Sequence, residues 1–181
     1  MNPQWFRAAP LVIMLLLLMA LGFGLLGGTP SQEEHNQRLI GYQVAPFNVA
    51  VLGEDNARFS PDSWQGRVAM LNVFASWCAT CVAEHDVLMK IAKSGKIAIY
   101  GLAWKDKPEK VVQWINDRGN PYQLIGVDEL GKSTVSLALT GVPETFVFDK
   151  SGRIAYHYSG PLTDDMADTL ILPLAEKLNA Q

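Results

Sequence analysis

The run Val68-Ala-Met-Leu-Asn-Val-Phe-Ala-Ser-Trp-Cys-Ala-Thr-Cys-Val-Ala-Glu-His85 constrains this chain more than any other stretch. Its first half is almost continuously apolar and holds β-branched and aromatic residues, the pattern of a strand buried on both faces. From Ala79 onward the residues are good helix formers, with no Gly or Pro until Gly95. Cys78 and Cys81 therefore fall where a buried strand hands over to a helix. Unpaired N–H groups and the positive end of the helix dipole favour a thiolate at such a place. A cysteine there can drop from a pKa of about 8.5 into the range of roughly 3.5 to 7.5. One turn separates the two sulfurs, so Cys78 is expected at the exposed helix start with Cys81 beneath it. The first attacks a disulfide and the second resolves the mixed disulfide that forms.

The chain has 181 residues, a net charge of −3 and a pI near 5.6. It lacks the basic stripe that nucleic-acid binding requires. Two cysteines three positions apart do not make a stapled secreted scaffold. As a structural bridge they would close too short a loop to constrain the unfolded chain much. Reactivity explains them better. Half a zinc site or a copper clamp is the competing use: Cys78, Cys81 and His85 offer three ligands, and Glu84 or His157 a fourth. A structural zinc site usually has a second ligand pair downstream, which this sequence does not supply.

Ala8 to Gly28 contains no charged residue and is long enough to cross a bilayer. Gly22-Phe-Gly24 loosely fits a signal-peptide cleavage site, but the length of the apolar core favours an uncleaved anchor. Arg7 precedes the segment and Glu33 and Glu34 follow it, which places the N-terminus in the cytoplasm and the domain outside. In a Gram-negative cell the outside is the periplasm, an oxidising compartment. The expected organisation is an anchor over 1–28, a linker over 29–38 and one domain over 39–181.

Within the domain a short strand is expected at Ala45–Val51, turn chemistry at Glu54-Asp-Asn56, and a capped helical turn at Ser60–Trp64. Further strands fall at Lys96–Leu102 and Gln123–Val127. Helices are expected over Lys107–Arg118 and, weakly, Lys132–Leu139. Glu144–Phe148 and Arg153–Tyr158 form a hairpin around Asp149-Lys-Ser-Gly152. Asp164–Asn179 closes the chain as an amphipathic helix interrupted at Pro173. Strands alternating with helices, with a hairpin near the end, give an α/β sandwich with a mixed central sheet. Gly126-Val-Asp-Glu-Leu-Gly131-Lys132-Ser133 matches a phosphate-loop motif letter for letter. Asp128 and Glu129 place two carboxylates where a phosphate would sit, so it is read as a loop.

Trp77-Cys-Ala-Thr-Cys81 at a strand-to-helix junction, with Gly141-Val-Pro143-Glu-Thr-Phe146 entering a strand further on, resembles the thioredoxin superfamily. That resemblance implies a three-layer sandwich and a cis Pro143 facing the cysteines. The Val142 backbone would then pair with an extended client beside Pro143, while Trp77, placed with them on the substrate-binding side, reads as packing against and shielding the cysteine motif or as an ordinary core tryptophan. Adding Cys81-Val-Ala-Glu84-His85, Tyr100-Gly-Leu-Ala-Trp-Lys105 and Gly119-Asn-Pro-Tyr122, nearly the whole chain is similar to the CcmG/DsbE proteins, its anchor included. These are membrane-tethered periplasmic thiol–disulfide oxidoreductases of cytochrome c maturation. The likeness implies reduction of an apocytochrome c disulfide, directly or through a CcmH-type partner, with electrons from a DsbD-type membrane reductase. It implies no cofactor beyond the Cys78–Cys81 disulfide, and it makes Glu84 and Glu144 the acidic residues near the cysteines. Against the resemblance, an exposed helix glutamate is ordinary for Glu84, and His85 and His157 read as surface or satisfied side chains. Two positions depart from the family: Ala79 stands where Pro is usual and Val82 where Arg is usual. The same chemistry run as an oxidase or isomerase, and a copper or haem-delivery module, are the alternative functions.

Overall fold

The computed structural model describes residues 5–26 and 36–181. The chain divides into two compact units, Met1–His35 and Asn36–Gln181. The first contains α1, Trp5–Leu26, a helix of 22 residues with Pro10 inside it. Its side chains are described without a break only over Val12–Gly22, and among the described residues no helix is long and apolar enough to cross a membrane. The linker expected at 29–38 lies largely outside the described residues.

The second unit is built on β3, Ala69–Phe74, in which every residue is buried. It pairs parallel with β4, Ala98–Trp104, and antiparallel with β6, Glu144–Phe148. β5, Ile125–Asp128, extends the sheet parallel to β4, and β7, Ile154–Ser159, extends it antiparallel to β6. A hairpin of β1, Val49–Val51, and β2, Glu54–Phe59, adds to the free side of β5, giving the order β2-β1-β5-β4-β3-β6-β7. Parallel neighbours need crossover helices. α2, Ala79–Ser94, joins β3 to β4, and α3, Pro108–Arg118, joins β4 to β5. A short α4, Ser133–Leu137, lies between β5 and β6.

Alternation along β3 sorts the core into two layers. Met70 and Phe74 face Val87, Leu88 and Ile91 of α2, Trp114 of α3 and the closing helix α5, residues 164–179. Ala69, Leu71 and Val73 face an aromatic layer of Phe59, Trp64, Tyr100, Phe146 and Phe148. Trp64 stacks on Phe148 at 4.8 Å between ring centroids. It ends the single turn Pro61–Trp64, which Ser60 caps in a reciprocal box with Ser63. The architecture is thus the three-layer α/β sandwich with a mixed sheet that the element order implies.

Three local expectations are corrected. Glu54-Asp-Asn56 opens β2 rather than forming a turn; the reversal falls at Leu52-Gly53, where Gly53 has φ of 78°. β4 begins at Ala98 rather than Lys96, because the Gly95 cap and the two residues after it are spent turning the chain. Pro173 does not interrupt α5. Having no N–H, it cannot bond back to the preceding turn, and the helix absorbs this by widening into a π segment, Ala167–Ile171, where Leu172 N–H reaches Ala167 O.

Gly126 on β5 makes the hairpin's packing possible. A Cβ there would lie 2.5 Å from Cδ1 of Phe59 and 2.9 Å from Cγ2 of Val49. Gly126→Ala is therefore expected to cost about 1–3 kcal/mol through overpacking, read as a lower urea midpoint at unchanged slope.

Candidate active site

β3 ends at Phe74, and four residues later the chain enters α2. Cys78 is the N-cap of that helix, with extended backbone (φ −89°, ψ 109°), and its sulfur accepts the N–H of Cys81 at 3.1 Å. Cys78 and Cys81 are joined as a disulfide with Cα atoms 5.3 Å apart. Cys78 is 6% exposed and Cys81 2%, so the outer sulfur is sheltered, more than the expectation of an exposed helix start implied. Thr80 Oγ1 lies 3.3 Å from the Cys78 sulfur. Beside it a cleft of about 340 Å³ opens, lined by Trp77, Ala79, Val82, Lys110, Trp114 and Arg118 among others.

The loop before β6 comes to the other side of the sulfur. The Val142–Pro143 peptide bond is cis, and the Val142 carbonyl oxygen stands 3.7 Å from Cys78 Sγ. Glu144, the first residue of β6, is fully buried. Its Oε1 accepts Thr140 N–H at 2.6 Å, the Thr140 hydroxyl at 2.7 Å and Gly141 N–H at 2.9 Å. Its Oε2 accepts from His157 Nε2 at 3.0 Å. Burial alone would raise this carboxyl; the bonds from His157, Thr140 and Gly141 together outweigh burial and hold it below the usual range. The three bonds from Thr140 and Gly141 tie the loop that carries Pro143 to β6, and His157 of β7 holds the carboxylate from within the sheet.

Glu84 lies on α2 one turn beyond Cys81, and it is not the exposed helix residue that its type would suggest. It is 0% exposed. Oε1 accepts Asn72 Nδ2 at 2.8 Å, and Oε2 accepts Leu162 N–H at 2.9 Å. The Tyr122 hydroxyl donates to Asn72 Oδ1 at 2.8 Å, completing a buried chain from β3 to the segment before α5. Burial pushes the Glu84 carboxyl up from 4.5 to about 7, against the opposing pull of Leu162 N–H and Asn72. Glu84 thus exchanges its proton near neutrality.

Trp77 is 57% exposed, and its indole N–H donates to Lys105 O at 3.1 Å. His85 and His157 are both buried and bonded rather than on the surface: His85 Nε2 sits 3.1 Å from Arg118 O, and His157 holds Glu144. Among the described residues no cluster of three or more His, Cys, Asp or Glu is arranged to hold a metal. The phosphate-loop match is closed from within. The Asp128 carboxylate accepts Lys132 N–H at 2.9 Å and Ser133 N–H at 2.7 Å, occupying the donors a phosphate would need. The roles of Asn72, Tyr122 and Thr140 in holding the two glutamates are not read from the sequence. An Asn inside an otherwise apolar strand was the available signal, since a buried amide demands partners.

A Cys-x-x-Cys disulfide whose first sulfur caps a helix after the central strand, facing a cis-proline loop, defines a thioredoxin-like thiol–disulfide oxidoreductase. Similarity to known proteins agrees. Residues 41–171 match the Redoxin family. The chain is 38% identical over 173 residues to the thiol:disulfide interchange protein DsbE of Pasteurella multocida, covering 93% of this chain and 94% of that one. It is 34% identical to the Escherichia coli K12 protein of the same name, covering 95% and 94%. A putative DsbE structure from Chlorobium tepidum superposes with a TM-score of 0.61 at 17% identity over 76% of this chain and 95% of that one, a likeness of fold. This chain belongs to the Redoxin family and, within it, to the DsbE thiol:disulfide interchange proteins.

The raised Glu84 carboxyl makes folding pH-dependent in a definite direction. Between 4.5 and about 7 the folded protein holds a proton that the unfolded chain has released. This contribution is full below the lower value and is lost as pH rises through the upper one, by about 3 kcal/mol in all. Urea unfolding from pH 4 to 8 should show the decline, and Glu84→Gln should flatten it.

Proposed function

We propose that this chain is a membrane-tethered periplasmic reductant of cytochrome c maturation. Its client is the disulfide of an apocytochrome c haem-binding motif, or of a CcmH-type partner, and a DsbD-type membrane reductase resupplies its electrons. The single observation carrying the proposal is the placement of Cys78 as cap of α2 opposite the Val142 carbonyl, in a chain similar to DsbE proteins over nearly its full length.

In this reaction the Cys78 thiolate attacks one client sulfur and the other client sulfur leaves as thiolate. Cys81 then gives up its proton and attacks Cys78. The Cys78–Cys81 disulfide forms as the Cys78–client bond breaks, and the client departs with two electrons, its two thiolates taking up the proton that Cys81 released and one from water. Glu84, one turn along and titrating near 7, is suited to receive the Cys81 proton. Glu144 supports the reaction by holding the Val142–Pro143 loop, whose backbone lines the client peptide while Trp77 packs against it. Ala79 and Val82 line the cleft beside Cys78. Where the family usually carries Pro and Arg, this chain offers a looser helix start and one cation fewer to favour the thiolate, which bears on its potential and choice of client.

Support for the tether comes from the uncharged apolar sequence of Ala8 to Gly28. As a helix, a segment of that length at about 1.5 Å per residue would reach about 30 Å, the thickness of a hydrocarbon core. The N-terminus then lies in the cytoplasm and the catalytic domain in the periplasm.

Cys81→Ser, expressed with the export machinery and haem-protein clients, should accumulate mixed disulfides through Cys78, and mass spectrometry should identify haem-motif or CcmH-type peptides in them. An empty trap would count against this role, and a strongly oxidising equilibrium with glutathione would make the protein an oxidase. The full-length protein should stay with the membrane through alkaline carbonate washing; release with the osmotic-shock fraction would mean that the anchor is cleaved.

A further inference from the structure

The turn that presents Cys78 is fastened from outside the cysteine motif. Cys78 N–H donates to Ala75 O at 3.1 Å, closing a four-residue turn with Ser76 and Trp77 at its centre. Both central residues are tied to one corner, the chain leaving β4. Trp77 Nε1 donates to Lys105 O at 3.1 Å. The Ser76 hydroxyl donates to Asp106 Oδ1 at 2.9 Å, and Ser76 N–H donates to Asp106 Oδ2.

The corner is itself firmly placed. Asp106 is only 5% exposed, and its Oδ1 also accepts Lys107 N–H at 2.8 Å just before α3. A buried carboxylate is tolerable there because N–H and O–H donors and the positive end of α3 surround it. Lys105 adopts a left-handed backbone, φ 50°, and its N–H bonds Asp128 O at 2.7 Å. That conformation is uncommon for a residue with a side chain. It brings the Lys105 carbonyl and the Asp106 carboxylate onto successive residues of the cysteine turn.

We propose that Asp106 is a positioning residue for thiol–disulfide exchange: its carboxylate fixes the Ser76–Trp77 turn and so aims the Cys78 sulfur at an incoming disulfide. The proposal rests on the exchange chemistry alone and is independent of which client is used. Reactions of this kind need the nucleophile, central sulfur and leaving sulfur held in line, and small displacements of an attacking group are costly. Asp106 touches none of the reacting atoms. It acts through Ser76.

The test uses the full-length chain in detergent, reduced, with Ellman's reagent as a small disulfide that needs no client groove. Asp106→Ala is expected to slow the reaction roughly tenfold or more and to move the Cys78 thiolate titration upward, as the sulfur loses its alignment with the start of α2. Asp106→Glu should restore part of the rate. A rate and titration equal to those of the unaltered protein, with only the unfolding midpoint lowered, would reduce Asp106 to a fold-stabilising residue and overturn the proposal. So would a downward titration shift in Asp106→Asn at unchanged rate, since that is the signature of lost charge rather than lost aim. Should Asp106→Ala fail to fold, Ser76→Ala removes only the hydroxyl bond. A slower reaction at an unchanged midpoint would then support the proposal, and an unchanged rate would refute it.

Discussion

In α2 a sulfur takes the place that an oxygen usually holds. The first turn of any helix leaves N–H groups without partners, and Ser, Thr, Asp or Asn commonly supplies the acceptor. Here Cys78 Sγ accepts the Cys81 N–H. The same atom is therefore a structural cap and a reactive centre, and electron density gained by that sulfur on reduction is met by donors already aimed at it. The surrounding fold keeps this arrangement in place. β3 delivers the chain to the junction, the β4 corner fastens the turn, and the β6 loop closes over the other side.

Two buried glutamates serve this junction in different ways, and their hydrogen bonds separate the roles. Glu144 takes three bonds from Thr140 and Gly141 and one from His157, enough to hold its carboxyl below the usual range despite burial. A group so committed to its ionised form is a fixed anchor. Glu84 takes two bonds, from Leu162 and Asn72, and burial wins, so its proton is loosely held near pH 7. Burial opposes ionisation at both sites, and it is outweighed only where the hydrogen-bond donors are more numerous.

What could be read from the residues follows the range of the forces involved. The α2 boundaries were legible because Gly95 adopts the left-handed conformation expected of a terminating glycine. The cysteine pair was legible because spacing and the strand-to-helix switch are local. The limits of β4 slid by two residues, since its pairing with β3 and not its propensity sets where it starts. Glu54-Asp-Asn56 looked like a turn by composition, but β1 recruits it as an edge strand, where polar residues are tolerated. Pro173 looked like a break; a π turn, stabilised by packing of Ala167 and Ile171, carries the helix past it. The burial of Glu84 and the Asp106 contact depend on residues 78 and 30 positions away along the chain, which no local pattern encodes.

The bond from Leu162 N–H to Glu84 has a consequence for the chain's last segment. Thr163 caps the start of α5 immediately afterwards, and Ala167, Ile171, Ala175 and Leu178 bury that helix in the layer that holds α2. The C-terminal portion is thus linked to a carboxylate one turn along α2 from Cys81. Trimming the chain from Leu162 onward would deprive an acid in the interior of one of its two donors and strip the apolar cover from the layer that holds α2, so the tail sets the surroundings of Glu84 as well as closing the scaffold.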